Sequence, residues 1–108
     1  MKAYEIINYL ENYFPLELQM DFDCCGLQIG NRNKEIKKVY IALNADNETL
    51  QACIEQDCQM LITHHPFLLE KIKNMDVNEH QGYFISLAMR HDIVVYSLHT
   101  CLDRGKNG

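Results

Sequence analysis

The spacing of apolar positions divides the chain into segments of two kinds. Ala3, Ile6, Ile7, Leu10 and Phe14 recur at i, i+3, i+4, i+7 and i+11. That is one stripe at helical period, and it predicts an amphipathic helix over residues 3–14, ended by Pro15. Residues 15–35 keep no such period. They carry Asp21-Phe22-Asp23-Cys24-Cys25-Gly26-Leu27-Gln28-Ile29-Gly30 and then the turn-like Asn31-Arg32-Asn33, with glycines that permit tight backbone turns. From Val39 the pattern becomes short continuous apolar runs. Val39–Leu43, Met60–Thr63 and Ile93–Leu98 read as strands. Between the first two, Asn44-Ala45-Asp46-Asn47 reads as a loop and helix cap, and residues 48–56 as a helix with Leu50, Cys53 and Ile54 facing inward. After the His64-His65-Pro66 turn, residues 67–73 are mixed. Residues 79–91 read as a further helix with Phe84, Ile85, Ala88 and Met89 as its core positions.

Continuous rather than alternating runs imply strands buried on both faces, and helices between them imply βαβ crossovers. The expected fold is therefore α/β, a mostly parallel sheet of at least three strands with flanking helices. At 108 residues the chain allows one domain. It ends on the polar stretch 104–108 soon after a strand, where a doubly wound fold would continue into a helix. That arrangement is expected of the first part of a longer fold.

Composition narrows the function. Apolar residues make up 47% and charged residues 23%, which excludes a disordered chain. Fifteen acidic against ten basic side chains give a net charge of −5, the wrong balance for a protein that grips a phosphate backbone. Lys34, Lys37 and Lys38 are diluted by Glu35 and read as a solvated approach to a strand. No run approaches the ~20 apolar residues of a membrane span, and the N-terminal residues resemble no signal peptide. Five cysteines, an odd number with no C-x-x-C, fit neither a disulfide framework nor a zinc ribbon. Reduced thiols in a cytoplasm are the expectation.

In open α/β sheets, sites form beyond the carboxyl ends of the strands. Two such loops here carry metal-capable side chains: Thr63-His64-His65-Pro66 and His99-Thr100-Cys101-Leu102-Asp103. Parallel strands would bring His64, His65, His99 and Asp103 to one sheet edge. Imidazole with carboxylate suits Zn, Fe, Mn, Co or Ni better than Ca or Mg. Adjacent histidines in an extended turn are expected to diverge, serving two ions ~3.5–4 Å apart, the usual spacing for activating water at a two-metal site. Bland roles suit the other candidates. His80 and His91 read as hydrogen-bonded caps, Cys101 as a small hydrophobe, Cys24 and Cys25 as buried thiols, and Asp21 and Asp23 as capping or turn residues. No G-x-S-x-G, Walker loop or G-x-G-x-x-G occurs.

Leu61-Ile62-Thr63-His64-His65-Pro66 resembles the I-T-H-H-P signature of the YbgI-like, or Nif-three-like, family, whose members are called GTP cyclohydrolase I type 2 homologues. Asp23 with Gly26-Leu27-Gln28-Ile29-Gly30 resembles the family's D-N-x-G-L-x-x-G, and Ile93–Asp103 its I-x-V-Y-x-x-H-T-x-L-D. Val39–Leu43 with the following helix resembles its first core strand and crossover. The resemblance covers nearly the whole chain. It implies the Nif-three-like α/β fold, a dinuclear centre of two divalent metal ions, and metal ligands at His64, His65 and Asp103, with His99 as a further site histidine. It also implies ring-like homohexamers and a substrate of nucleotide or phosphoester type. Family members are about twice as long, and their second half supplies an H-x-x-x-E pair not found after Asp103. Two departures stand near the site: Cys24 replaces the Asn of D-N, and Asn44 replaces the Asp of the family's L-D. The leading expectation is a metal-dependent hydrolase or its N-terminal half. The rival is a non-catalytic metal-binding scaffold or regulatory module. A thiol-redox protein using Cys24 and Cys25 is a third, weaker reading.

Overall fold

A computed structural model of the chain describes residues 1–14, 26–65 and 74–98. Its elements are α1 (Ala3–Tyr13), β1 (Gly26–Ile29), β2 (Val39–Ala42), α2 (Asn47–Glu55), β3 (Met60–Thr63), α3 (His80–Arg90) and β4 (Val94–Ser97). Six of the seven fall on segments read from the apolar pattern. They form one sheet of order β1-β4-β3-β2. Strands β2, β3 and β4 run parallel, with Val39, Met60 and Val94 in register at one end. The expected α/β architecture with a mostly parallel sheet is therefore present.

Strand β1 was not expected. It runs antiparallel to β4, with Gly26 opposite Ser97 and Leu27 opposite Tyr96. A bulge at Gln28 then shifts the register, so that Ile29 faces Val95. A strand of four residues with a bulge shows no clear alternation, so its sequence resembles a turn. Gly30 closes it at φ 121°, where an added Cβ would lie 2.8 Å from the Cα of Val94. Only glycine lets the backbone pass that close.

Side chains alternate between two cores, as the pleat requires. Leu61 and Val95 join Leu50, Cys53, Phe84, Leu87 and Ala88 beneath α2 and α3. Met60, Ile62, Val94 and Tyr96 pack on the opposite face with Ala3 and Ile7 of α1. Tyr96, fully buried, donates its hydroxyl to Glu11 of α1 at 3.0 Å, which ties that helix across the sheet. Two expectations about burial fail. Met89 is 67% exposed and Leu87 takes its place in the core. At 3.6 residues per turn Met89 lies about 140° around the helix from Phe84, whereas Leu87 and Ala88 lie within about 60°. Strand β2 is not buried on both faces: Tyr40 and Ala42 pack beneath the helices, but Ile41 is 77% exposed.

Helix ends are tied off locally. Asp46 caps α2 by accepting from the Thr49 N–H at 2.8 Å. At the start of α1, the Ala3 and Tyr4 N–H groups donate to the carbonyls of Lys34 and Arg32, both at 2.8 Å. Helices α2 and α3 end alike. Cys58 N–H returns to Cys53 O and Asp57 N–H to Ile54 O, while Ile93 N–H returns to Ala88 O and Asp92 N–H to Met89 O. These are Schellman motifs whose left-handed residue is aspartate, Asp57 at φ 58° and Asp92 at φ 53°. Among the described residues, no helix is long and apolar enough to cross a membrane.

Candidate metal centre

Strand β3 ends at Thr63, and the chain leaves the sheet through His64 and His65. Every backbone polar group of that dipeptide is engaged. The His64 N–H donates to Ala42 O (3.2 Å) and the His65 N–H to Leu43 O (2.9 Å), so parallel pairing with the β2 side continues past the strand proper. The Ser97 hydroxyl donates to His64 O (3.3 Å) and the Thr63 hydroxyl to His65 O (2.8 Å). Thr63 and Ser97 are essentially inaccessible to solvent. A buried hydroxyl without a partner costs about 1–3 kcal/mol, so these two side chains are satisfied by holding the turn. Sequence reasoning missed both. Their signal was a hydroxyl residue at or near the end of each apolar run.

The imidazoles do not diverge as expected for neighbours on an extended chain. Their ring centroids are 5.2 Å apart and the planes are inclined at 62°. His64 is half-buried and His65 exposed. Beside His64 lies a shallow, largely apolar cavity of about 100 Å³, bounded by Ile41, Ile62 and Leu98. On the other ring, His65 Nδ1 lies 2.7 Å from the amide oxygen of Asn44, which stands two residues beyond β2.

The β4 side of this edge is also aligned. Thr63 and Ser97 are register partners, and the Leu98 N–H donates to Thr63 O at 3.1 Å. The chain thus leaves β4 next to the point where it leaves β3. His99 and Asp103, the other two candidate ligands, lie outside the described residues, as do Asp21, Asp23, Cys24, Cys25 and Cys101. Among the described residues, no group of three or more His, Cys, Asp or Glu is gathered in a metal-binding arrangement. The pair His64–His65 supplies two nitrogen donors on a fixed backbone. That donor set fits part of the coordination sphere of a transition-metal centre and needs further ligands to complete it.

The remaining candidates take structural roles. His80, the first residue of α3, accepts at Nδ1 from the Asn47 amide at 3.1 Å, and His91 is the C-cap of α3. Asp46 is held below the ordinary carboxylate value by the Thr49 backbone N–H, then by the Thr49 hydroxyl, with a smaller contribution from His80. Cys53 and Cys58 are free thiols in the core, and burial pushes Cys53 up to about 12. A thiol so placed is a poor nucleophile.

Fold and site together define an α/β protein that presents a clamped histidine pair at the carboxyl ends of parallel strands. The chain belongs to the family described as Duf34/NIF3 (NGG1p interacting factor 3), whose model matches residues 1–108. A protein of Methanocaldococcus jannaschii named GTP cyclohydrolase 1 type 2 homolog is 39% identical over 109 residues, covering all of this chain and 44% of the relative. Reduced HcgD from Methanocaldococcus jannaschii superposes with a TM-score of 0.91 at 40% identity, covering 100% of this chain and 43% of that one. The Bacillus cereus protein related to NIF3 gives 0.89 at 33% identity, over 95% and 28% of the two chains. This chain therefore spans well under half the length of such relatives, between 28% and 44%.

Proposed function

We propose that this chain contributes His64, His65, His99 and Asp103 to a centre for two divalent transition-metal ions, in a hydrolase that acts on nucleotide-like or phosphoester substrates. The observation that carries the reading is the His64–His65 turn, whose four backbone groups are all tied down while both imidazoles project at the edge where α/β proteins bind ligands. Preorganisation of this kind is what a metal site needs, because ligands held in place lose little entropy on binding. Divalent ions held there supply Lewis acidity and water activation. The protein's part is to fix the imidazoles, to back His64 with the buried apolar side chains of Ile62 and Leu98, and to hold His65 through Asn44. The names of the curated relatives, GTP cyclohydrolase 1 type 2 homolog, agree with a hydrolytic role on a nucleotide. Following the family resemblance, the same reading makes the complete protein a homohexamer, which light scattering on a full-length form checks.

Metal analysis of purified protein, grown with Zn, Fe, Mn, Co and Ni supplied, tests the proposal. Near-stoichiometric metal is expected, with loss in His64→Ala and in His65→Ala. Less than about a tenth of an equivalent in the wild type overturns it. A non-catalytic scaffold is favoured by one separate observation, the exposed apolar residues Ile41 (77%) and Leu43 (59%) beside the site, which is the character of a contact surface. A screen with nucleotides and phosphodiesters separates the readings. Metal-loaded wild type as inactive as His64→Ala selects the scaffold.

A further inference from the structure

We propose that Asn44 is a positioning residue, whose amide oxygen holds His65 in the tautomer protonated on Nδ1 and so presents Nε2 as the coordinating nitrogen. The placement of Asn44 follows from the backbone. Because the His65 N–H bonds to Leu43 O at 2.9 Å, the segment leaving β2 and the segment leaving β3 run side by side beyond the sheet. The residue after Leu43 then lies against the His65 ring, and its oxygen reaches Nδ1 at 2.7 Å. An amide oxygen only accepts, so the proton lies on Nδ1. A neutral imidazole has one ring proton, which leaves the lone pair on Nε2. Hydrogen bonding of the second ring nitrogen is the usual means by which a protein fixes the orientation and tautomer of a metal-binding histidine. Asn44 supplies it with a neutral acceptor, which orients the ring without adding a charge beside it.

His80 provides an internal reference. There the Asn47 amide N–H points at Nδ1 at 3.1 Å, so Nδ1 accepts and the proton lies on Nε2, the opposite tautomer. Two exposed histidines of one chain are thus set oppositely by two asparagines.

The tautomer assignment stands without any metal; its purpose rests on the metal-binding reading above. Long-range ¹H–¹⁵N correlation spectra of the metal-free chain, recorded about two pH units above the ordinary histidine value near 6.5, read both rings at once. The expected result is a protonated Nδ1 on His65 and a protonated Nε2 on His80. Asn44→Ala should move His65 toward the Nε2-protonated form and leave His80 unchanged, and Asn44→Asp should restore the wild-type pattern. A wild-type His65 protonated on Nε2, or an Asn44→Ala spectrum identical to wild type, overturns the proposal. Titration with Co²⁺, followed by its visible absorption, gives the second readout. Asn44→Ala should bind about 10–100-fold more weakly, and Asn44→Asp at least as tightly as wild type. If no form binds Co²⁺ while the tautomers behave as stated, the metal reading fails and the role of Asn44 in orienting His65 stands. If Co²⁺ binds equally to all three proteins and the tautomers do not change, the reverse holds. Asn44 is exposed, and far-UV circular dichroism confirms that the variants fold.

Discussion

Strands β2 and β3 lie side by side, parallel and in register, and both are written in apolar residues. Their surroundings nevertheless differ. Every residue of β3 is buried, because α2 and α3 cover one of its faces and α1 the other. Strand β2 alternates between exposed and half-buried residues: Tyr40 and Ala42 pack under the helices, while Val39 and Ile41 face outward on the side that α1 does not reach. The contrast separates two meanings of an apolar run. In β3 hydrophobicity stabilises this chain. In β2 about half of it contributes nothing to the folded unit described and leaves apolar surface facing solvent beside His64.

Substitutions test that division in order of expected effect. Leu61→Ala, in the centre of β3, should lose about 2–5 kcal/mol in urea denaturation through lost burial and the cavity left behind. A loss below about 1 kcal/mol would show that β3 is no better packed than β2. Gly30→Ala comes next. The added methyl meets the β4 backbone at 2.8 Å with φ at 121°, so roughly 1–3 kcal/mol of strain is expected, measurable in the same titration. Asp46→Ala removes the cap of the helix that joins β2 to β3 and should cost about 1 kcal/mol at neutral pH. Because the folded form holds this carboxyl below its ordinary 3.8, the stabilisation is complete above that value. It disappears as pH falls through the lowered one, so wild type and variant should converge in acid. Ile41→Ser should change stability by no more than about 0.5 kcal/mol. A loss comparable with Leu61→Ala would mean that the outer face of β2 is covered after all.

Much of this fold was legible. The stripe Ala3, Ile6, Ile7, Leu10 and Phe14 marked α1, and three continuous runs marked the parallel strands, because burial on a helix face or in a sheet leaves a period in the sequence. A cap for α2 was visible within Asn44-Ala45-Asp46-Asn47 for the same local reason, and the structure assigns it to Asp46. What escaped depends on contacts distant in sequence. Strand β1 exists because β4 offers it a partner about seventy residues away. The exposure of Ile41 depends on which strands α1 packs against, and it packs on β3 and β4. The helix ends lacked their usual glycine, since Asp57 and Asp92 occupy the left-handed position. At the site, the pattern identified His64 and His65, but their close approach could not be read from it. Nor could the grip of Ser97 and Asn44 upon them, since each joins chain segments that meet only when the sheet has formed; the Thr63 grip is local, two residues before His65.

The hydroxyl of Ser97 closes on the carbonyl of His64 across thirty-three positions of chain. The turn that carries the histidines is consequently finished only when the last parallel strand has docked, so a half-assembled sheet offers a looser and poorer site. Any ion that prefers the finished geometry would select molecules whose strands are all in place, and would add RT ln(1 + [L]/Kd) to their resistance to unfolding. Loading such a site would therefore act as a proofreading step on folding itself.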